Sequence, residues 1–526
     1  MNLPASPAEE AVSAELAEVR PALGGAYLAA LDGARAAVLT RLWRALAVEP
    51  LPWVVRRTRG SDGLVVLLAG GGRLEGPLPD PYATGPYVSE VLLDGRAYRQ
   101  AARLVSALGV PHGEAFAAEL DDSTASLALS RAGRPAGPQP EPAAVWEWEQ
   151  RLVDGHPYHP NCRSRPGFSV AEQLAYAPEH RPLVELGLLA VPAGECLVAG
   201  AWPDALRDGP RLLLPVHPWQ AEHVLARADP ARGAVRAGFP AHPLMSLRTL
   251  APAAGGGPVP EAHVKTALST RLTSSVRDIS PYSVETAAAV SAFAQALCER
   301  LDGRLHITRT LGAATAHSPD LAAVLREPPE RYADGAAGER LLPVAALAGT
   351  AYARSASWRA EFARLALDVC LRVLDLGVAL EAHGQNLLVV LSPTGTPLRL
   401  VYRDLADIRI SPARLVRHGL PVPPLAGRLI TDDETALRRK LFGSLLTGAL
   451  GATAGSAAAF GEALSVAAAD LPATADTHAL LSAPLPTKAL TLMRLSPEVP
   501  GDQWAELDNP LAAGESGARA RCAPGA

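Results

Sequence analysis

Lys265 stands in the stretch VKTALSTRLTSSVR (264–277) of a chain whose 49 basic residues comprise 46 Arg and three Lys, at 265, 440 and 488. A compact ammonium meets a single phosphate oxygen as a movable point charge, which the planar guanidinium fork does not. A Lys kept among Ser, Thr and Arg therefore marks a candidate anion site. Read as a strand, 263–273 points Val264, Thr266, Leu268, Thr270 and Leu272 one way and Lys265, Ser269, Arg271 and Thr273 the other. By the same rule Ser246 and Arg248 share a face of the preceding strand, and Arg277 follows where the chain leaves the sheet. Fork, point charge and hydroxyl together form a phosphate shell. The plainer reading is a solvated polar face with surface ion pairs.

Two further groups carry chemistry. In GHPYHPNCRSRPGFS (155–169) His156, His159, Arg163 and Arg165 sit in a proline-stiffened loop, suited to donating to phosphate or carboxylate. Zinc is disfavoured because the two histidines have no third ligand close by in sequence. In EAHGQNLLVVLSPTGTPLRLVYRDLADIRI (381–410) two apolar runs flank the turn SPTGTP and read as a hairpin. Folding it brings Asn386 and Asp404 to one open end, with Glu381, His383 and Gln385 just before. Carboxylates and an amide at a sheet mouth suit magnesium held against phosphates. A hairpin capped by polar residues is the alternative.

The elements that must position these groups follow from pattern. Residues 7–50 read as helical with Ser6 as cap, and LVVLLA (64–69) as a strand. AGRPAGPQPEP (132–142) reads as a linker, which separates an N-terminal domain (1–131) from a second region at 144–335. There LLLPV (212–216), LMSLRTL (244–250) and HVKTALSTRLT (263–273) predict antiparallel sheet, and Ser280-Pro281 opens a helix. A third region, 336–511, begins with an amphipathic helix in SWRAEFARLALDVCLRVLDLGVALEAH, and 512–526 reads as a disordered tail. The fold class is α+β, mainly antiparallel.

Composition excludes several classes. A net charge of −5 leaves no basic footprint for nucleic acid and no polybasic membrane patch, so small-molecule partners are expected. Five dispersed cysteines, at 162, 196, 298, 370 and 522, form no CxxC pair and fit a cytoplasmic protein. The longest uncharged run, 441–461, is too weakly apolar for a confident membrane span. No Lys follows a Gly, so there is no P-loop, and no GxSxG, HExxH or GxGxxG occurs.

In this order the three groups resemble the aerobactin synthetase (IucA/IucC) family of siderophore synthetases that work without a nonribosomal peptide synthetase. HPYHPNCRSRPG matches the family pattern HPxHPxxKxRxG, with Arg163 where Lys is usual. Ser246, Arg248 and Thr249 match SxRT, Lys265, Thr273 and Arg277 match K-x7-T-x3-R, and Glu381 to Asn386 with Arg403 and Asp404 match E-x-HGQN and RD. KALTLMRL (488–495) and NPL (509–511) look like its C-terminal landmarks. The resemblance implies a three-domain cupped hand of thumb, fingers and a kinase-like palm, binding ATP and Mg2+. It implies condensation of a carboxylate, citrate or a derivative, with an amine, hydroxylamine or alcohol through an acyl-adenylate, and a homodimer by analogy. Carried over, His159, Arg277 and His383 are catalytic, and Ser246, Arg248, Lys265, Thr273, Gln385, Asn386, His156 and Arg163 bind nucleotide and carboxylate. Glu381 and Asp404 serve magnesium. The rivals are a kinase-like phosphotransferase and a non-enzymatic ferric-siderophore binding or reductase protein of the FhuF type, which would want clustered C-terminal cysteines.

Overall fold

The computed structural model describes residues 3–228, 234–272 and 275–512. Its first unit packs the helices Pro7–Val19, Gly24–Val48, Ala101–Leu108 and Gly113–Ala132 against a five-stranded antiparallel meander between Val54 and Tyr98. Ser6 caps the first helix by accepting from the Glu9 amide, as its sequence signal requires, with Pro7 at the first helical position. The expected single helix over 7–50 is broken at Arg20, where a short 3-10 turn at Pro21–Leu23 re-aims the chain. Residues 133–144 carry no helix or strand.

The second unit is a nine-stranded sheet in which every neighbouring pair is antiparallel. Its order is Leu197–Gly200, Thr310–Ser318, Leu321–Arg326, His263–Thr266, Thr249–Pro252, Arg236–Pro243, Val184–Pro192, Arg211–Val216 and Arg207–Asp208. Two strand expectations need correction here. The segment 244–250 is mostly a turn, with Leu247 at φ 63, so Ser246 and Arg248 share no strand face. The expected strand 263–273 is two strands in different sheets: His263–Thr266 is interior to the large sheet, and Leu268–Leu272 pairs with Ser275–Arg277. All four residues of His263–Thr266 are buried because both faces are covered, so the period-two burial survives only over 268–272.

The third unit centres on the amphipathic helix Ala356–Leu376, stopped by Gly377 in the left-handed region, and on a four-stranded sheet. In that sheet Leu387–Leu391 and Pro397–Tyr402 form the expected hairpin, with Leu387 opposite Tyr402. The boundary expected at 335/336 is crossed. Leu305–Ile307 pairs parallel to the hairpin, and Val290, Phe293 and Leu297 of the preceding helix lie in the C-terminal core before the chain returns to the large sheet. At the other end Ala489, Leu492, Leu495 and Ala505 belong to the N-terminal core. Among the described residues no single helix is long and apolar enough to cross a membrane. The bent pair Glu434–Ala454 and Ala457–Asp470 passes on composition, but its Leu441, Leu446, Phe460 and Leu464 are core residues. The tail expected to be disordered lies outside the described residues from 513 onward.

Candidate functional site

A cleft of about 970 Å³ runs between the three units. On the sheet side Lys265 lies opposite Thr249 on one neighbouring strand and Val324 on the other. Directly opposed residues share a face and so do residues two apart, which puts Arg326 diagonally beside Lys265. Both reach across to the third unit: Lys265 Nζ lies 2.6 Å from Asp404 Oδ2, and Arg326 Nη2 lies 2.9 Å from Asp404 Oδ1. One carboxylate between two cations leaves net positive charge. Asp404 is therefore held ionised, well below the usual carboxylate range even though burial opposes it. Burial and the Arg326 charge push the Lys265 ammonium down to about 7, against the support of Asp404.

Asp404 adopts a left-handed conformation, φ 73, at the end of the hairpin. The Tyr402 hydroxyl ties it to Glu381: it accepts from the Glu381 amide and donates to the Asp404 carbonyl, both at 3.2 Å. Asn386 Nδ2 donates to the Glu381 carbonyl at 3.2 Å, and Arg403 holds the Gln385 carbonyl and Glu149. His383 Nδ1 accepts from the Gln385 amide at 3.2 Å, so the neutral ring carries its proton on Nε2, 3.8 Å from Glu381. Burial, opposed by the Glu381 charge, keeps that imidazole below its ordinary pKa. Glu381 and Asp404 are hard oxygen donors whose backbones are tied through one phenol, and whose carboxylates, here paired with Lys440 and Lys488 and with Lys265 and Arg326, are of the type that holds magnesium.

All three lysines line this cleft. Lys440 Nζ sits 2.7 Å from Asp407, 3.3 Å from Glu381 and 3.5 Å from Asp502. Lys488 bonds the same Glu381 oxygen at 3.1 Å and Asp502 at 3.2 Å. Their scarcity is the signal that singles out Lys265, and it applies equally to the other two. Asp407, Asp502 and Arg326 carry no such signal.

The His loop is fastened by one face of the Gly113–Ala132 helix. Glu119 accepts from Asn161, Ser123 Oγ donates to the Pro160 carbonyl and accepts from the Arg163 amide, and Asp122 accepts from Ser164 and the Arg165 amide. Residues three and four apart share a helix face, so one helix holds the whole loop. Among the described residues no well-formed hydrogen bond engages either ring nitrogen of His159, which has the Asn161 side chain beside it, although the residue is 2% exposed. Burial, with Arg494, Arg41 and Arg277 nearby, pushes its pKa down to about 3. His156 lies on the cleft wall with Nδ1 accepting from the Tyr158 amide. Among the described residues neither histidine joins a metal-ligand cluster.

Not every expected residue presents its polar group to the cleft. Arg163 borders it, but its guanidinium is taken up by Glu179 and the Leu152 and Val153 carbonyls, and Arg165 binds the same Glu179 at 2.5 Å. Both guanidiniums are buried and engaged by Glu179. Ser246 accepts from the Thr249 amide, and Arg248 donates to the Arg277 and Asp278 carbonyls, so both border the cleft by shaping its rim. Arg277 lines the cleft; Thr273 lies outside the described residues.

Residues 144–349 match the IucA / IucC family, and residues 356–502 match the ferric iron reductase FhuF-like transporter family. The IucA / IucC likeness extends to the fold, since the petrobactin biosynthesis protein AsbB of Bacillus anthracis superposes with a TM-score of 0.76 at 18% identity, over 95% of this chain and 99% of that one. The ATP-bound aerobactin synthetase IucA of Klebsiella pneumoniae gives 0.70 at 20% identity, over 91% and 99%. Among curated relatives, the 2-[(L-alanin-3-ylcarbamoyl)methyl]-3-(2-aminoethylcarbamoyl)-2-hydroxypropanoate synthase of Staphylococcus aureus is 24% identical over 56% of this chain and 57% of its own length. The citryl-spermidine/3,4-dihydroxybenzoyl-citryl-spermidine:spermidine ligase of Bacillus anthracis is 24% identical over 50% and 51%. The chain thus spans just over half the length of these curated relatives.

Proposed function

We propose that the protein is an ATP-dependent, AMP-forming ligase that condenses a carboxylate, citrate or a citrate derivative, with an amine, hydroxylamine or alcohol in siderophore biosynthesis. The observation that carries this reading is the contact of Lys265 and Arg326 with Asp404, which joins a phosphate-type cation set to a metal-type acid set across one cleft. The family match, the ATP-bound structural neighbour and the ligase names of the relatives support it.

In the first half-reaction a carboxylate oxygen attacks the α-phosphorus and the bond to the bridging oxygen breaks, releasing pyrophosphate. Two anions must approach, so Lys265 and Arg277 offset their repulsion and the charge that develops on the α-phosphate. His383, Gln385 and Asn386 bind the nucleotide beside them. Glu381 and Asp404 would hold magnesium, which when bound neutralises phosphate charge. His159, neutral, hydrogen-bonds the substrate; at about 3 its pKa suits that role and not a general base. In the second half-reaction the amine attacks the acyl carbon and AMP leaves. No covalent enzyme intermediate is required, and positioning supplies most of the rate.

Lys265→Ala and Arg277→Ala are expected to abolish carboxylate-dependent pyrophosphate release with the thermal midpoint retained. Unchanged turnover in both would overturn the assignment, and ADP in place of AMP would make the protein a kinase. A FhuF-type iron–sulfur reading draws on the match over 356–502, but that stretch has one cysteine, Cys370, which is fully buried. The absence of any iron-dependent absorbance after anaerobic reconstitution would dispose of it.

A further inference from the structure

The Gly24–Val48 helix lies outside both matched regions and still puts a cation into the cleft. Arg41 borders the cleft at 4% exposure. Its Nη1 donates to Cys162 Sγ and its Nη2 to the Asp154 carbonyl, each at 2.9 Å. Both acceptors are neutral, and among the described residues no carboxylate oxygen comes within salt-bridge distance. One helical turn on, Arg44 is 3% exposed, donates to the Pro81 carbonyl and to Thr487 Oγ1, and stands 4.5 Å over the Tyr158 ring. Two guanidiniums buried against neutral hydrogen-bond acceptors hold a positive potential at the cleft wall, which the Asp154 and Glu49 carboxylates offset only from beyond salt-bridge distance.

That potential falls on the His loop. The charges bearing most on His159 are Arg494, Arg41 and Arg277, and those bearing on His156 include Arg41 and Arg44. Of these, Arg494 is already matched by Glu119. The charges bearing on Lys265 are instead Arg326, Asp404 and Arg248. The cleft thus has two cationic poles: one at Lys265 and Arg326, which share Asp404, and one around His159 and Arg41. Arg277 lines the cleft and acts on the second pole and on Arg248 of the first.

We propose that Arg41 is a specificity-determining residue that recognises a second carboxylate of the acid substrate, the carboxylate that is not activated. This rests on the ligase reading above. A carboxylate is favoured over a phosphate because the nucleotide is held at the other pole, by Lys265 and the His383–Asn386 turn.

The test measures pyrophosphate release with citrate for the wild type, Arg41→Gln and Arg41→Lys, together with citrate and ATP affinities by calorimetry. Arg41→Gln is expected to raise the KM and Kd for citrate at least tenfold, with the KM for ATP within twofold and kcat within threefold; Arg41→Lys recovers part of the loss. A rise in the KM for ATP instead would make Arg41 a phosphate contact, and parallel losses in kcat and both KM values would make it merely structural. Either result overturns the proposal, as does an unchanged citrate Kd. Should Arg41→Gln fail to fold, the citrate affinity of Arg41→Lys decides. If the wild type releases no pyrophosphate with citrate, the ligase reading fails for that acid, while citrate affinity still tests Arg41 separately.

Discussion

Three lysines in a chain of 526 residues, all lining one cleft, mean that the substitution of Arg for Lys stops where geometry forbids it. Lys440 shows why. At 2% exposure its single nitrogen meets carboxylates of Glu381, Asp407 and Asp502 from three directions, whereas a planar fork presents donors in one plane. Lys440→Arg is therefore expected to lower the thermal midpoint by the equivalent of about 1–3 kcal/mol through overpacking, while Arg56→Lys at an exposed position leaves it unchanged. Equal midpoints for the two variants would refute the geometric account. The lysine count was readable before any fold was known, and it drew the eye to Lys265. That Lys265 faces an aspartate 139 residues later was not, because strand alternation sets a face and is silent on what lies opposite it.

At the scale of elements, the end of one helix can supply the cap of another far away in sequence. Glu49, at the end of the Gly24–Val48 helix, accepts from the Thr491 and Leu492 amides and so caps the helix Leu490–Leu495 that follows Lys488. Burial pushes its pKa up to about 7 from an ordinary 4.5. A folded-state pKa above the unfolded one adds stability that is complete below about pH 4.5 and is lost as pH rises through about 7, with a total near 3 kcal/mol. Denaturant titrations at pH 4.5 and 8 should show that component in the wild type and lose it in Glu49→Gln. An identical pH dependence in the two proteins would show that Glu49 titrates normally. The caps at Ser6 and Ser280 and the hairpin over 387–402 were legible because local chemistry dictates them. The split at Ala267 was not, since its amide bonds the Ala322 carbonyl, a partner only the assembled sheet supplies.

At the scale of the molecule, the chain is laced through its own units. The Ala287–Cys298 helix and Leu305–Ile307 join the C-terminal core from the middle of the sequence, and Leu492 and Leu495 close the N-terminal core from near its end. Composition marked the 132–142 linker but could not reveal such returns, because a hydrophobic residue does not state which core it enters. Leu492→Ala should cost about 2–4 kcal/mol and raise amide exchange first in the Gly24–Val48 helix. Faster exchange confined to Ala356–Leu376 would refute this assignment of cores.

The Lys265–Asp404 contact has a consequence for what the cleft admits. Its cation and its acid meet across the seam between two units, with Arg326 on the acid's other oxygen, so an anion that draws Lys265 away leaves Asp404 to Arg326 alone. An anion at this seam must compete with Asp404 for Lys265, so the pair sets a threshold that a ligand offering Asp404 a cation in return would lower.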